Sequence, residues 1–146
     1  MWTSIAASGA ALTSGLFAGA ALYITLAEHP ARLACGTGAA VAHFRQSYPR
    51  AARMQAPLAV VGGVLALVAW LTGEPIGWLV TGGLLASVVP FTLIVIFPTN
   101  HRLLDEGLEA ASSEAAGLLR RWGWVHLVRT GVSLAALVGM LWLLAS

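Results

Sequence analysis

The chain has 146 residues, of which 58% are hydrophobic and 10% are charged, and its mean hydropathy is +0.81. A soluble domain has about 25% charged residues, so the composition excludes an ordinary soluble protein. The net charge of +2 reflects eight arginines and no lysine. These arginines are dispersed, so no basic face for nucleic acid is predicted. The single cysteine, Cys35, excludes an internal disulfide.

Four apolar segments are long enough to cross a hydrocarbon layer. We predict membrane spans at about residues 5–27, 54–71, 76–97 and 122–144. No residue before Glu28 is charged, so the first segment lacks the basic region of a signal peptide and is expected to be a retained helix. Four spans with short connections predict an all-α, up-down-up-down bundle, a single integral membrane domain over residues 1–146.

The polar stretches predict how the spans are connected. The first span is expected to end in residues 28–32, with a polar linker from there to about residue 53. Residues 72–75 are expected to form a short turn. Pro90 is expected to kink the third span, and residues 98–100 to end it. Residues 103–119, rich in Ala, Glu and Leu, are expected to form a helix lying at the membrane interface.

The charges are distributed unequally between the two ends of this bundle. All eight arginines, all four histidines and five of the six acidic residues lie at the end that carries the first and third connections. The other end has both termini and only Glu74. The positive-inside rule therefore predicts a multi-pass protein of the inner (plasma) membrane, with both termini outside and the two long linkers in the cytoplasm. A functional site is expected at the cytoplasmic mouth.

The fourth span begins with an unusual set of polar and aromatic side chains. Trp122, His126 and Arg129 are four and three residues apart, so they form one stripe on a helix, whereas Trp124 points to another face. An isolated charge inside the hydrocarbon layer costs at least about 2.5–3.5 kcal/mol and is normally paired and functional. Glu28, at the end of the first span, is the expected partner of Arg129, and it is also one helical turn from Arg32.

Several other polar residues are candidates for the same site. Asn100 could present its amide to an oxygen-bearing ligand, and Tyr48 and Gln55 could join it. The four histidines and Glu28 also leave open a site for copper, iron or haem, built first from His29 and His126 and then from His43 and His101. The Glu-x-x-His, HExxH and CxxC spacings of familiar metal sites are absent from the sequence.

Four sequence blocks resemble a family of small four-helix membrane proteins that includes the membrane-type anthrone oxygenases. The blocks are LAEHPARL, SYPRAARMQAPLA, PFTLIVIFPTNHRLLD and LLRRWGWVHLVRT, at residues 26–33, 47–59, 90–105 and 118–130. The resemblance implies oxidation of anthrone-like aromatic polyketides by O2. The positions that match the family's motifs are Glu28, His29, Pro30, Arg32, Tyr48, Gln55, Pro98, Asn100, Leu104, Trp122, His126 and Arg129.

For such a reaction we predict a base, donors for an enolate oxygen and an aromatic slot, and no required cofactor. His126 is the expected base, with His29 as the alternate. Arg129, Arg32 and Asn100 are expected to stabilise the oxyanion, and Glu28 to neutralise Arg129. Trp122 and Tyr48 are expected to hold the rings, with Gln55 beside them.

Two alternatives stay open at this point. One is a metal- or haem-dependent oxidoreductase that uses the clustered histidines. The other is a non-catalytic membrane subunit that binds a small ligand. The lipid bilayer, a small aromatic molecule and O2 are the expected partners, and the GxxxG spacing of Gly15 and Gly19 would allow a homo-oligomer.

Overall fold

The computed structural model describes the backbone of residues 2–146 and the side chains of residues 4–146. This part of the chain is helical, without strands. Its four long helices are apolar enough to cross a membrane: Ser4–Ala34, Thr37–Leu71, Gly77–Leu104 and Ser113–Ala145. They are called the first to fourth helices below. The predicted all-α membrane bundle is confirmed.

The connections between the helices are short. The first is only Cys35 and Gly36, and Gly36 has φ +89°, a conformation that side chains rarely adopt. Consecutive helices therefore run antiparallel. The first helix packs on the second and fourth, and the third also packs on the second and fourth, so the four form a ring.

Small residues bring these helices close together. Alanines from the first, second and fourth helices form much of one core cluster, together with Phe17, Trp78, Leu85 and Met140. A second cluster surrounds Phe44, Ile96, Leu119 and Trp122 nearer the arginine-rich end. In hydrocarbon, helices associate through such close packing rather than through exclusion of water. Gly15 faces Leu137 of the same chain, whereas nothing lies near Gly19.

The polar linker predicted after Arg32, up to about residue 53, is almost entirely helical. The first helix continues through a π-helical segment, Ile24–Glu28, to Ala34, and the second helix begins at Thr37. Pro49 and Pro57 both lie within that second helix. Polar residues mark where a helix can leave the hydrocarbon layer, but they do not require the helix to end there.

The predicted interfacial helix over residues 103–119 is also absent. The third helix ends at Leu104, residues 105–112 form turns, and the fourth helix starts at Ser113 with Ser112 as its N-cap. The loop is held by Arg45, which donates to the carbonyls of Leu103, Asp105 and Leu108 at 3.1, 2.6 and 3.3 Å. Hydrogen bonds from the Gly107 N–H and from Arg102 lower the pKa of Asp105 in this loop.

The third helix does not end at residues 98–100, contrary to prediction. Its irregular parts lie earlier: the backbone is interrupted at Ser87, three residues before Pro90, and is π-helical over Thr92–Ile96. Proline has no N–H to donate, and its ring crowds the preceding turn. The helical hydrogen bonds are therefore disturbed just before Pro90 and just before Pro98. The α-helix resumes at Phe97 and includes Asn100.

Helix packing at Gly82 gives a prediction about stability. A Cβ on Gly82 would lie 2.5 Å from Cβ of Ala66, whereas a Cβ on the adjacent Gly83 would meet nothing within 4 Å. We expect Gly82→Ala to force the second and third helices apart and to destabilise the protein by about 1–3 kcal/mol. Gly83→Ala is the matched control and should be neutral or slightly stabilising. Thermal unfolding in detergent micelles measures both, and equal melting temperatures would contradict this packing.

Candidate functional site

A chain of hydrogen bonds joins three of the four helices at one level of the bundle. Asn100 donates through Nδ2 to the hydroxyl of Tyr48 at 2.8 Å, and it accepts from Nε1 of Trp122 at 2.8 Å. Phe44 packs against this group, stacked on Tyr48 at 5.3 Å and edge-on to Trp122 at 5.3 Å between centroids. We call Tyr48, Asn100 and Trp122 the polar belt. Because both ends of the Asn100 amide are occupied, its side chain positions the two aromatic rings.

His126 lies one turn below Trp122 on the fourth helix. The two rings are stacked, with centroids 4.6 Å apart and planes 23° from parallel. His126 is 1% exposed, and its Nε2 atom has no hydrogen-bond partner. An imidazole nitrogen buried without a partner is unusual, because the group loses its water without a replacement. His126 also lines the cavity described below.

The other nitrogen of His126 meets two threonine hydroxyls. Nδ1 lies 3.1 Å from Oγ1 of Thr25 and 3.4 Å from Oγ1 of Thr130, and these two oxygens are 2.8 Å apart. Thr25 also donates to the carbonyl of Ala21 at 3.0 Å. Thr25 of the first helix and Thr130 of the fourth thus hold the Nδ1 edge of the imidazole.

Arg129 is buried in the middle of the bundle, with 9% of the residue exposed. Its Nη2 donates to Oε1 of Gln55 at 2.6 Å, and its Cζ lies 4.8 Å from the centre of the Phe17 ring. Nε of Arg129 has no partner. The guanidinium is therefore held by a neutral amide and the face of an aromatic ring.

The predicted pair between Arg129 and Glu28 is not formed. Glu28 accepts instead from Arg32, one turn later on the same helix, and Arg32 also donates to Ser47 at 3.2 Å. Among the described residues no carboxylate lies within ion-pair distance of Arg129. A local i, i+4 pair at the helix end satisfies Glu28 without a long-range contact.

An apolar cavity of about 170 Å³ lies beside these groups. Five predicted site residues line it: Tyr48, Gln55, Trp122, His126 and Arg129. The rest of the wall is almost entirely apolar and is formed by Phe17, Ile24, Ala51, Ala52, Ala56, Ala59, Val88, Val89, Thr92 and Leu93. The volume is below the roughly 300–1,000 Å³ of drug-sized sites. It suits a small flat ligand, most of whose contacts would be apolar.

Other predicted residues lie outside the cavity wall. His29 packs on the far side of Trp122, 5.0 Å between centroids, and faces a separate groove with Thr25, Gly123 and Trp124. Arg32 lies with its Cζ 5.6 Å from the ring centres of both Phe44 and Trp122. His29 and Arg32 therefore support Trp122 from outside. As the spacing predicted, Trp124 is turned away and is 71% exposed.

The histidines do not converge on a metal site. His43 and His101 are exposed, and His43 Nδ1 lies 3.9 Å from Oε1 of Glu28. In the part of the chain that the structure describes, no three His, Cys, Asp or Glu side chains are grouped closely enough to hold an ion. The four histidines and Glu28 therefore do not form the predicted metal site built from several of these ligands.

Thr25, Thr130 and Phe17 belong to the site but were not predicted from the sequence. Thr130 follows His126 by four residues, so helical spacing alone could have placed it beside the imidazole. Thr25 and Phe17 come from the first helix and contact the stripe through tertiary packing. No spacing rule indicates such contacts, because the register between two helices is set by their packing.

The fold and the site define a helical membrane protein with a buried imidazole and a buried cation at an apolar, aromatic-walled cavity. The anthrone oxygenase family profile matches residues 44–139, and the chain belongs to this family. It is also similar to anthrone oxygenase AgnL2 of Paecilomyces divaricatus, with 37% identity over 71 residues. That alignment covers 41% of this chain and 42% of the relative, so less than half of the relative's length is matched. No solved structure matches the chain.

The bond between Gln55 and Arg129 gives a prediction about stability. A hydrogen bond to a charged group contributes about 1.5–3 kcal/mol. We expect Gln55→Leu to destabilise the protein by about that amount, because it removes the acceptor from a buried guanidinium. Gln55→Glu keeps the shape and an acceptor oxygen, and should retain the fold. Chemical unfolding in micelles compares the variants, and an undiminished stability of Gln55→Leu would show that Arg129 does not depend on this acceptor.

Proposed function

We propose that this protein is a membrane oxygenase that oxidises a small, flat, anthrone-like aromatic substrate with O2 and needs no cofactor. One observation carries the proposal: His126, whose Nε2 has no hydrogen-bond partner, lines the same apolar cavity as Arg129, which has no carboxylate partner among the described residues. Membership of the anthrone oxygenase family supports the reaction class. The similarity to AgnL2 also supports this reaction class, but the alignment covers only 42% of that relative.

The oxidation of an anthrone by O2 needs the two kinds of group that His126 and Arg129 provide, a base and a cation. The methylene carbon between the two aromatic rings is acidic, because its anion is delocalised onto the carbonyl oxygen as an enolate. The electron-rich enolate carbon reduces O2 and forms a C–O bond, giving a hydroperoxide after proton return. Loss of water from that hydroperoxide gives the second carbonyl. One anthrone and one O2 thus yield one anthraquinone and one H2O.

His126 is the proposed base. Its Nε2 would accept the methylene proton and later return it to the peroxide oxygen. The Thr25 and Thr130 hydroxyls would support the tautomer in which Nδ1 carries the proton. If Thr130 donates to Thr25, and Thr25 to the carbonyl of Ala21, both hydroxyl hydrogens are used. Nδ1 then donates to a threonine oxygen, which leaves the lone pair on Nε2 free for the substrate.

Arg129 is the proposed partner of the enolate oxygen. A fixed cation in a water-poor cavity stabilises a developing negative charge more strongly than it would in water. Without a carboxylate partner, the guanidinium is not neutralised before the substrate arrives. Trp122 and Tyr48 would form the aromatic wall, as predicted. His29, Arg32 and Asn100 are reassigned from direct chemical roles to positioning roles, since none of them lines the cavity.

The four apolar helices fit a multi-pass membrane protein. We propose that it lies in the inner (plasma) membrane with both termini outside. The arginine-rich ends of the helices and the loop at residues 105–112 would then be in the cytoplasm. The cavity would lie within the membrane on the cytoplasmic side of the midplane, below the polar belt. A role in polyketide oxidation follows from the proposed substrate class.

Replacement of His126 tests the proposed reaction. We expect His126→Ala to reduce the rate of anthrone oxidation by about 10²–10⁴-fold, the usual contribution of a general base. His43→Ala, which changes an exposed histidine, is the matched control and should retain full activity. O2 uptake and anthraquinone absorbance in detergent or nanodiscs measure turnover above the uncatalysed oxidation. Full activity of a folded His126→Ala variant would remove this residue from the mechanism. Wild-type protein that binds aromatics without O2 uptake would instead indicate a ligand-binding subunit.

The threonine contacts give a prediction that separates positioning from folding. We expect Thr25→Val to lower kcat at least tenfold with little change in KM, because Nδ1 of His126 loses a hydroxyl partner. Thr25→Ser restores the hydroxyl and should restore kcat. Imidazole 15N chemical shifts should show proton occupancy moving from Nδ1 towards Nε2 in Thr25→Val. Unchanged shifts with normal turnover would contradict a role in setting the tautomer.

A further inference from the structure

The cavity is closed along the bundle axis in both directions. Towards the arginine-rich end it is covered by the polar belt, in which Tyr48, Asn100 and Trp122 are hydrogen-bonded to one another. Towards the other end it is bounded by Phe17, Ala59 and Val88, which are all buried. A ligand moving along the axis would have to break the belt or displace the core.

The cavity is more open on one side. Of the fifteen described residues that line it, only Ala56 and Leu93 are exposed. Ala56 belongs to the second helix and Leu93 to the third, so the opening lies between these two helices. Ala52, one turn before Ala56, also lines the cavity and is half-buried. We call the opening bordered by Ala52, Ala56 and Leu93 the side opening.

Two features of the chain create this opening. At the opening, the second helix contributes three alanines, Ala51, Ala52 and Ala56, whose side chains are single methyl groups. The facing π-helical segment, Thr92–Ile96, packs on the fourth helix, while the second helix packs on the parts of the third helix before and after it. Small side chains and a locally displaced backbone therefore leave space between two otherwise packed helices.

The surface around the side opening is mainly apolar, although the exposed Arg53 lies three residues before Ala56 on the second helix. Val60, one turn after Ala56, is 50% exposed, and Leu93 and Ile94 on the third helix are 61% and 74% exposed. In helices of this length and hydropathy, such side chains face hydrocarbon. On its Leu93 side, the side opening is therefore bordered by side chains of the kind that face lipid, and on its Ala52 side by Arg53.

We propose that the ligand enters and leaves through the side opening, directly from the hydrocarbon layer, and that Ala52 and Ala56 set the width of molecule that can pass. The class of ligand rests on the proposed function, whereas the route rests on the geometry of the opening. It follows that the ligand is an uncharged fused-ring molecule that partitions into lipid. An anionic or strongly polar analogue would be excluded by the hydrocarbon around the opening.

The route can be tested with a molecule that is not turned over. The probe is 9,10-anthraquinone, and its association with protein in lipid nanodiscs is followed by stopped-flow quenching of tryptophan fluorescence. We expect Ala56→Phe and Ala52→Phe to slow both association and dissociation at least tenfold, because a large ring would narrow the opening. Ala135→Phe, at an exposed alanine of the fourth helix, is the matched control and should change both rates less than twofold. Leu93→Ala, which widens the opening, should leave association unchanged or faster.

A charged probe distinguishes entry from lipid and entry from water. Anthraquinone-2-sulfonate has the same rings but stays in water, and we expect it to show no saturable quenching. Equal association of the sulfonate and the neutral probe would overturn the proposal, as would association rates in Ala52→Phe and Ala56→Phe equal to wild type. Absence of anthraquinone binding by the wild type would overturn it too. Because this probe is not oxidised, the result is independent of whether His126→Ala affects anthrone turnover.

Discussion

The structure depends on how a guanidinium is accommodated inside an apolar bundle. Arg129 is almost fully buried, yet it is held by the amide of Gln55 and the ring of Phe17 rather than by a carboxylate. A carboxylate partner would neutralise this charge, and a buried ion pair gains little stability because both of its charges must be desolvated. A neutral acceptor orients the guanidinium and leaves its positive charge available. The protein thus offsets only part of the free energy that burial of the Arg129 charge costs. An anionic species in the cavity would offset more of it.

A cation and an imidazole can act on one ligand only if their surroundings are dry and rigid. The polar belt supplies rigidity, because Asn100 links Tyr48 on the second helix to Trp122 on the fourth. Trp122 is packed by His126 on one side and by His29 and Arg32 on others. Polar residues that first look catalytic thus hold an aromatic wall in place. In the proposed reaction, the chemical roles fall to the few groups that line the cavity.

Sequence patterns predicted the fold class and the stripe of Trp122, His126 and Arg129, because hydropathy and helical periodicity are local properties. They did not predict the partner of Arg129, since a charge was assumed to need an opposite charge and Gln55 is neutral. The extended second helix was missed because polarity was taken as the end of a helix. His29 was predicted to face the ligand. The direction in which it points depends on how the first helix is rotated against the fourth, and residue spacing within one helix does not specify that rotation.

The first helix shows why a match to the rest of the chain is not a complete description of the site. The family match begins at residue 44, after that helix has ended. Yet the helix supplies Phe17 against Arg129 and Thr25 against His126. Thr25 lies within the π-helical segment Ile24–Glu28, as Thr92 does in the third helix, and both segments end shortly before a proline. A π-helical segment changes the facing direction of the residues in it and after it. Pro30 and Pro98 therefore influence the shape of the cavity although neither lines it. Pro30 acts near the imidazole of His126, and Pro98 acts near the side opening.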